Sequence, residues 1–129
     1  MVIGFNEQFP DKILAGTKKH TIRVDQHDRW HAGMKMHMAV GVRTKSYLCF
    51  KLDTCKSTQK ITIIHYPKKA VVYVDDHRLG IYSKTYERTY YQKLIQLAKF
   101  DGFNSLKDFF DWFDNNFTGK IIHWTDLRY

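Results

Sequence analysis

The stretch FPDKILAGTKKHTIRV, Phe9 to Val24, decides how this chain is read. Residues 9–15 predict a short helix: Phe9, Ile13 and Leu14 share one face, and Pro10 is tolerated in a first turn. Gly16 suits the left-handed position that ends a helix. Residues 20–24 then predict a strand, because Thr21, Ile22, Arg23 and Val24 alternate and are rich in β-branched types. Side chains two apart share a face, so Thr21 and Arg23 point to one side. Lys18, in the turn before the strand, leans over that side. A hydroxyl between a lysine and an arginine suits an anionic ligand or an activated nucleophile.

Outward from this stretch the chain reads as strands interrupted by two late helices. A polar loop over residues 25–33 leads into a strand at 35–42, with Met36, Met38, Val40 and Val42 on one face. Further strands are expected at 47–52, 60–66, 70–74 and 120–124, with Asp75, Asp76 and His77 as a turn. Residues 86–99 predict a helix with Tyr90, Tyr91, Leu94, Ile95 and Ala98 on its apolar side. Ser105 and Asp108 form a capping-box-like start to a second helix, whose stripe Leu106, Phe109, Phe110 and Phe113 packs inward. Six or seven short strands with few long helices predict a β-rich α+β domain, a barrel or strongly curled sheet. At 129 residues one domain spanning 1–129 is expected.

Composition narrows the function classes. Hydrophobic residues make up 43% and aromatics 16%, which argues against disorder. No apolar run approaches a membrane span and the N-terminus lacks a signal-peptide layout, so a cytoplasmic, membrane-free protein is expected. Twenty-one Lys and Arg against 13 Asp and Glu give a net charge of +8, which favours polyanion partners. Cys49 and Cys55 are expected as free thiols. His27, His31 and His37 with these cysteines fit no compact zinc spacing, so neither metal nor cofactor is expected. No obligate protein partner is evident.

Asp101 stands out by breaking a rule. It falls at the end of the first late helix, just before Gly102, where a carboxylate meets the negative end of the helix dipole. Lys or Arg is preferred there, so the acid hints at function or at compensation by Lys18. Two chemistries are open. In a binding cleft Gly16, Lys18, Lys19, Thr21, Arg23 and Arg43 hold an RNA or nucleoside, with Trp30 and His31 adding stacking or charge and Tyr73, Tyr82 and Tyr90 as exposed rings. In an enzyme a neutral Lys18 deprotonates Thr21, and Asp101 orients the lysine or shuttles the proton to a leaving amine.

The arrangement F-x3-F-x3-I-L-A-G-x-K-x-x-T-I-R, from Phe5 to Arg23, resembles the ASCH domain family, which is similar to the PUA fold. The motif looks closest to a small bacterial branch that hydrolyses the acyl amide of N4-acetylcytidine. In that branch a Lys and a Thr of this motif act with a Glu on a later helix. The resemblance implies a PUA-like β-barrel with peripheral helices and an active group of Lys18, Thr21 and Asp101, with Asp in place of the Glu. It spans the first quarter of the chain and the region near Asp101. The expectation is an RNA- or nucleoside-binding ASCH domain, with amide hydrolysis of an acylated cytidine-type nucleoside as the alternative.

Overall fold

The computed structural model describes residues 1–85 and 92–129. Within them the order is β1 (Val2–Gly4), α1 (Pro10–Leu14), β2 (His20–Arg23), β3 (Lys35–Val40), β4 (Leu48–Thr54), β5 (Ser57–His65), β6 (Lys69–Val74), β7 (His77–Ser83), α2 (Gln92–Phe100), α3 (Leu106–Trp112) and β8 (Phe117–His123). The fold is a sheet-rich α+β arrangement. Among the described residues no helix is long and apolar enough to cross a membrane.

The expected single barrel is corrected to two sheets. One has the order β1-β3-β4, with β1 parallel to β3; the other is antiparallel throughout, in the order β2-β8-β5-β6-β7. No closed barrel forms among the described residues. Where β1 passes β2, the link is a side chain: the Arg23 guanidinium donates to the Gly4 carbonyl at 2.6 Å. A barrel needs a continuous backbone ladder there.

Among the described residues eight strands replace the expected six or seven, for a local reason. Asp75 and Asp76 both have positive φ, 47° and 68°, and Val74 pairs with His77. This is a two-residue hairpin turn, so His77 opens a strand instead of closing a turn. A second correction concerns β3. A bulge between Met38 and Ala39 breaks the alternation, so Ala39 is buried and Val42 is exposed beyond the strand.

One buried cluster joins both sheets and the helices, with Ile3, Met36 and Met38 contributed by the smaller sheet. Ile61, Ile63, Val72, Val74, Ile121 and Ile122 from the five-stranded sheet are buried, as are Leu94, Leu97 and Phe109 from the helices. Ser105 caps α3 by accepting from the Asp108 amide at 3.1 Å, and Phe109, Phe110 and Phe113 pack inward with Leu106 half-buried. Leu14 and Ile95 are exposed, against expectation. Each lies one residue, about 100° of helix, from the buried stripe, and these short helices bury only one narrow face. The expected apolar positions Tyr90 and Tyr91 lie outside the described residues.

Candidate functional site

The site begins at the turn that Gly16 makes possible. With φ of 81°, Gly16 lets the chain leave α1 while the amides of Thr17 and Lys18 both donate to the Lys12 carbonyl. The next amide, Lys19, donates to the Phe100 carbonyl at 2.7 Å, which clamps the turn to the end of α2. Lys18 is thereby directed inward. Its side chain is only 2% exposed, and its ammonium lies 4.7 Å from the Phe9 ring centroid and 5.8 Å from that of Phe5.

At the end of α2 two lysines serve successive carbonyls. Lys18 Nζ donates to the Asp101 backbone oxygen, and Lys12 Nζ donates to the Gly102 oxygen at 2.6 Å. These cations offset the negative helix end and the carboxylate beside it. Lys18 Nζ also lies 3.4 Å from Asp101 Oδ1. Burial lowers the Lys18 pKa to about 8; Asp101 opposes that shift, and the charges of Arg23 and Lys12 reinforce it. Gly102 is forced as well as convenient. Its φ is 99°, and a Cβ there would sit 2.9 Å from Lys18 Cδ and 2.9 Å from Phe9 Cδ1.

Behind Asp101 lies a relay that the sequence did not announce. His20 is wholly buried, with Nδ1 3.1 Å from Asp101 Oδ1 and Nε2 2.7 Å from the Tyr129 hydroxyl. Burial, together with the Asp101 charge, pushes the Tyr129 phenol far up, so it stays protonated and donates to Nε2. Burial also lowers the His20 pKa and keeps the ring neutral. The remaining ring proton therefore sits on Nδ1 and is donated to Asp101 Oδ1. Gln59 holds Tyr129 in place: it accepts from the Tyr129 amide at 2.9 Å and donates to its carbonyl at 2.8 Å. His123 donates to the same Gln59 Oε1 at 3.0 Å, and burial drops its pKa to about 3. The signal for these residues was slight. His20, Gln59 and His123 occupy strand slots that share a face with Ile22, Ile61 and Ile121, where apolar residues belong.

A cavity of about 160 Å³ opens beside this group. Its polar lining includes Lys18, Thr21, Arg23 and Asp101, and its aromatic walls include Phe9, Phe103 and Trp112. Thr21 and Arg23 do share a side, and Arg23 Nε donates to Thr21 Oγ1 at 3.1 Å. That bond occupies the oxygen as acceptor and leaves its proton for another group. Asp101 Oδ2 has no hydrogen-bond partner among the described residues.

The other expected ligand residues do not join the cavity. Gly16 is an exposed turn residue, and the Lys19 ammonium lies 4.6 Å from the Phe100 ring. Arg43 is exposed at the β3–β4 connection, with φ of 63°. Trp30 is buried beside a second groove, and His31 is exposed and lies 4.0 Å from Asp28. Tyr82 stacks on Phe110 at 4.5 Å and Tyr73 is half-buried, while Tyr90 lies outside the described residues. Cys49 and Cys55 are unpaired thiols. Among the described residues no three His, Cys, Asp or Glu side chains gather as metal ligands.

Comparison of the chain with protein-family models, with curated proteins and with solved structures found no match.

Proposed function

We propose that this chain is a PUA-like, ASCH-type domain that hydrolyses the N-acyl amide of an acylated nucleoside of the N4-acetylcytidine kind. The observation that carries the reading is that Asp101, distant in sequence, lines one cavity with Lys18 and Thr21. At about 160 Å³ it is smaller than the roughly 300–1,000 Å³ that encloses drug-sized ligands, which suits a base edge and its acyl group.

The chemistry follows from the partners. With a pKa of about 8, about a tenth of Lys18 is neutral at pH 7. The neutral amine takes the Thr21 proton as Oγ1 bonds to the acyl carbon. The C–N bond breaks as Lys18 returns the proton to the leaving amine, which Asp101 Oδ2 can hold in place. Water then cleaves the acyl–threonine ester, releasing the carboxylic acid and restoring Thr21. The Arg23 charge beside Oγ1 favours the developing alkoxide.

A second reading, binding of a nucleoside or RNA without turnover, is favoured by one observation. Both oxygens that face Lys18 Nζ belong to Asp101, and they stabilise the protonated, inactive lysine. The test is acetate release from N4-acetylcytidine, alongside calorimetric binding, for wild type, Lys18→Met and Thr21→Val. Turnover that falls at least 100-fold in both variants supports the hydrolase. Binding without turnover selects the second reading; the absence of both overturns the site.

A further inference from the structure

A second, larger groove adjoins the cavity. It measures about 410 Å³ and shares Gly4 and Arg23 with the cavity; Asp25, His27, Arg29 and Trp30 also border it. Arg23 is the partition between the two. Its Nε is committed to Thr21 and one terminal nitrogen to the Gly4 carbonyl, while Nη1 has no partner among the described residues.

The groove is electropositive. Its one carboxylate, Asp25, is already engaged: it accepts from the amides of Arg29 at 2.8 Å and Trp30 at 2.9 Å, and Lys120 Nζ stands 3.1 Å away. Lys120 also reaches Asp28 and donates to the Trp30 carbonyl at 3.0 Å. Asp25 is thus neutralised locally, and the same bonds fix the backbone that carries Arg29. The Arg29 guanidinium and the His27 ring are exposed and have no partner among the described residues. An arginine on a braced turn, lining the same groove as a second arginine with a spare N–H, suits recognition of phosphate.

We propose that this groove holds the phosphate of a nucleotide, so that the ligand is a phosphorylated nucleoside with its base in the cavity and its phosphate between Arg23 and Arg29. The inference rests on the nucleoside reading of the cavity and names its substrate class. A neutral nucleoside leaves the Arg29 guanidinium and Arg23 Nη1 without a partner; a 5′-phosphate, one ribose away from the base, engages both.

The experiment is calorimetric titration with cytidine and with cytidine 5′-monophosphate, at low and moderate salt, for wild type, Arg29→Ala and Arg29→Lys. The nucleotide is expected to bind at least tenfold more tightly than the nucleoside. That advantage should shrink as salt rises, fall below twofold in Arg29→Ala and recover in part in Arg29→Lys. Equal binding of the two ligands, or a full advantage in Arg29→Ala, overturns the phosphate groove and leaves the cavity reading intact. Binding of neither ligand overturns this inference, and the cavity reading is decided separately by N4-acetylcytidine.

Discussion

Lys18 is the residue on which the proposed activity and the stability of the fold both turn. Its pKa of about 8 in the fold lies below the usual 10.5, so between these values the unfolded chain binds more protons than the folded one. Stability therefore rises with pH across that window, and the burial of a charged Lys18 costs roughly 3 kcal/mol at pH 7. Urea unfolding of wild type and Lys18→Met from pH 7 to 10.5 should show this upward slope in wild type only. The proposed hydrolysis should climb with pH to a midpoint near 8, as a neutral-amine base requires; a rate flat from pH 6 to 9 contradicts that role. His20 offers a second test. His20→Phe leaves the Tyr129 hydroxyl without its acceptor and Asp101 Oδ1 without its nearer donor. A loss of about 2–4 kcal/mol in denaturant unfolding is expected.

At the scale of elements, the joint between α2 and α3 positions the lysine. Gly102→Ala forces a left-handed backbone on alanine and drives a methyl against Lys18 and Phe9. It should destabilise the fold by about 1–3 kcal/mol and reduce turnover as well, since Lys18 must move. Ser105→Ala removes the cap of the next helix, only three residues on, and should cost about 1 kcal/mol with turnover retained. Kinetics beside thermal melts separate the two; equal loss of activity in both variants would mean that Gly102 acts only through stability. Legibility at this scale followed the strength of the local signal. The cap at Ser105, the glycine after α1 and the strand at Thr21 are written in short-range chemistry. The bulge at Met38 is not, because it answers to the partner strand β4, and β7 was hidden by a two-aspartate turn.

At the scale of the molecule, the two sheets differ in burial. β5 is paired on both sides and carries Ile61 and Ile63 in the core, whereas β4 shows mostly exposed and half-buried residues and contributes Leu48 and Leu52 to the surface. Hydrogen exchange should accordingly be slowest in β5 and β8 and faster in β4. Arg23→Ala removes the side-chain link to Gly4 and should raise exchange at β1 above the rest of its sheet. Uniform protection across both sheets would contradict this division.

What the amino-acid order determined alone was local: a helix ended by glycine, a strand presenting Thr21 and Arg23 on one side, and a capped aromatic helix. Each depends on contacts within a few residues, so composition and spacing carry them. It also marked Asp101 as out of place at a helix end, without saying what repairs it. Only the tertiary structure decided that. Lys12 and Lys18 come from the other end of the chain to meet the carbonyls of Asp101 and Gly102, and His20 and Tyr129 brace the carboxylate. It also decided that Lys19 and Arg43 stay outside the cavity and that the strands form two sheets. The physical reason is common to these outcomes. A lysine's basicity, a histidine's tautomer and the closure of a sheet are set by burial and by partners as far as 109 residues away, which spacing along the chain does not encode.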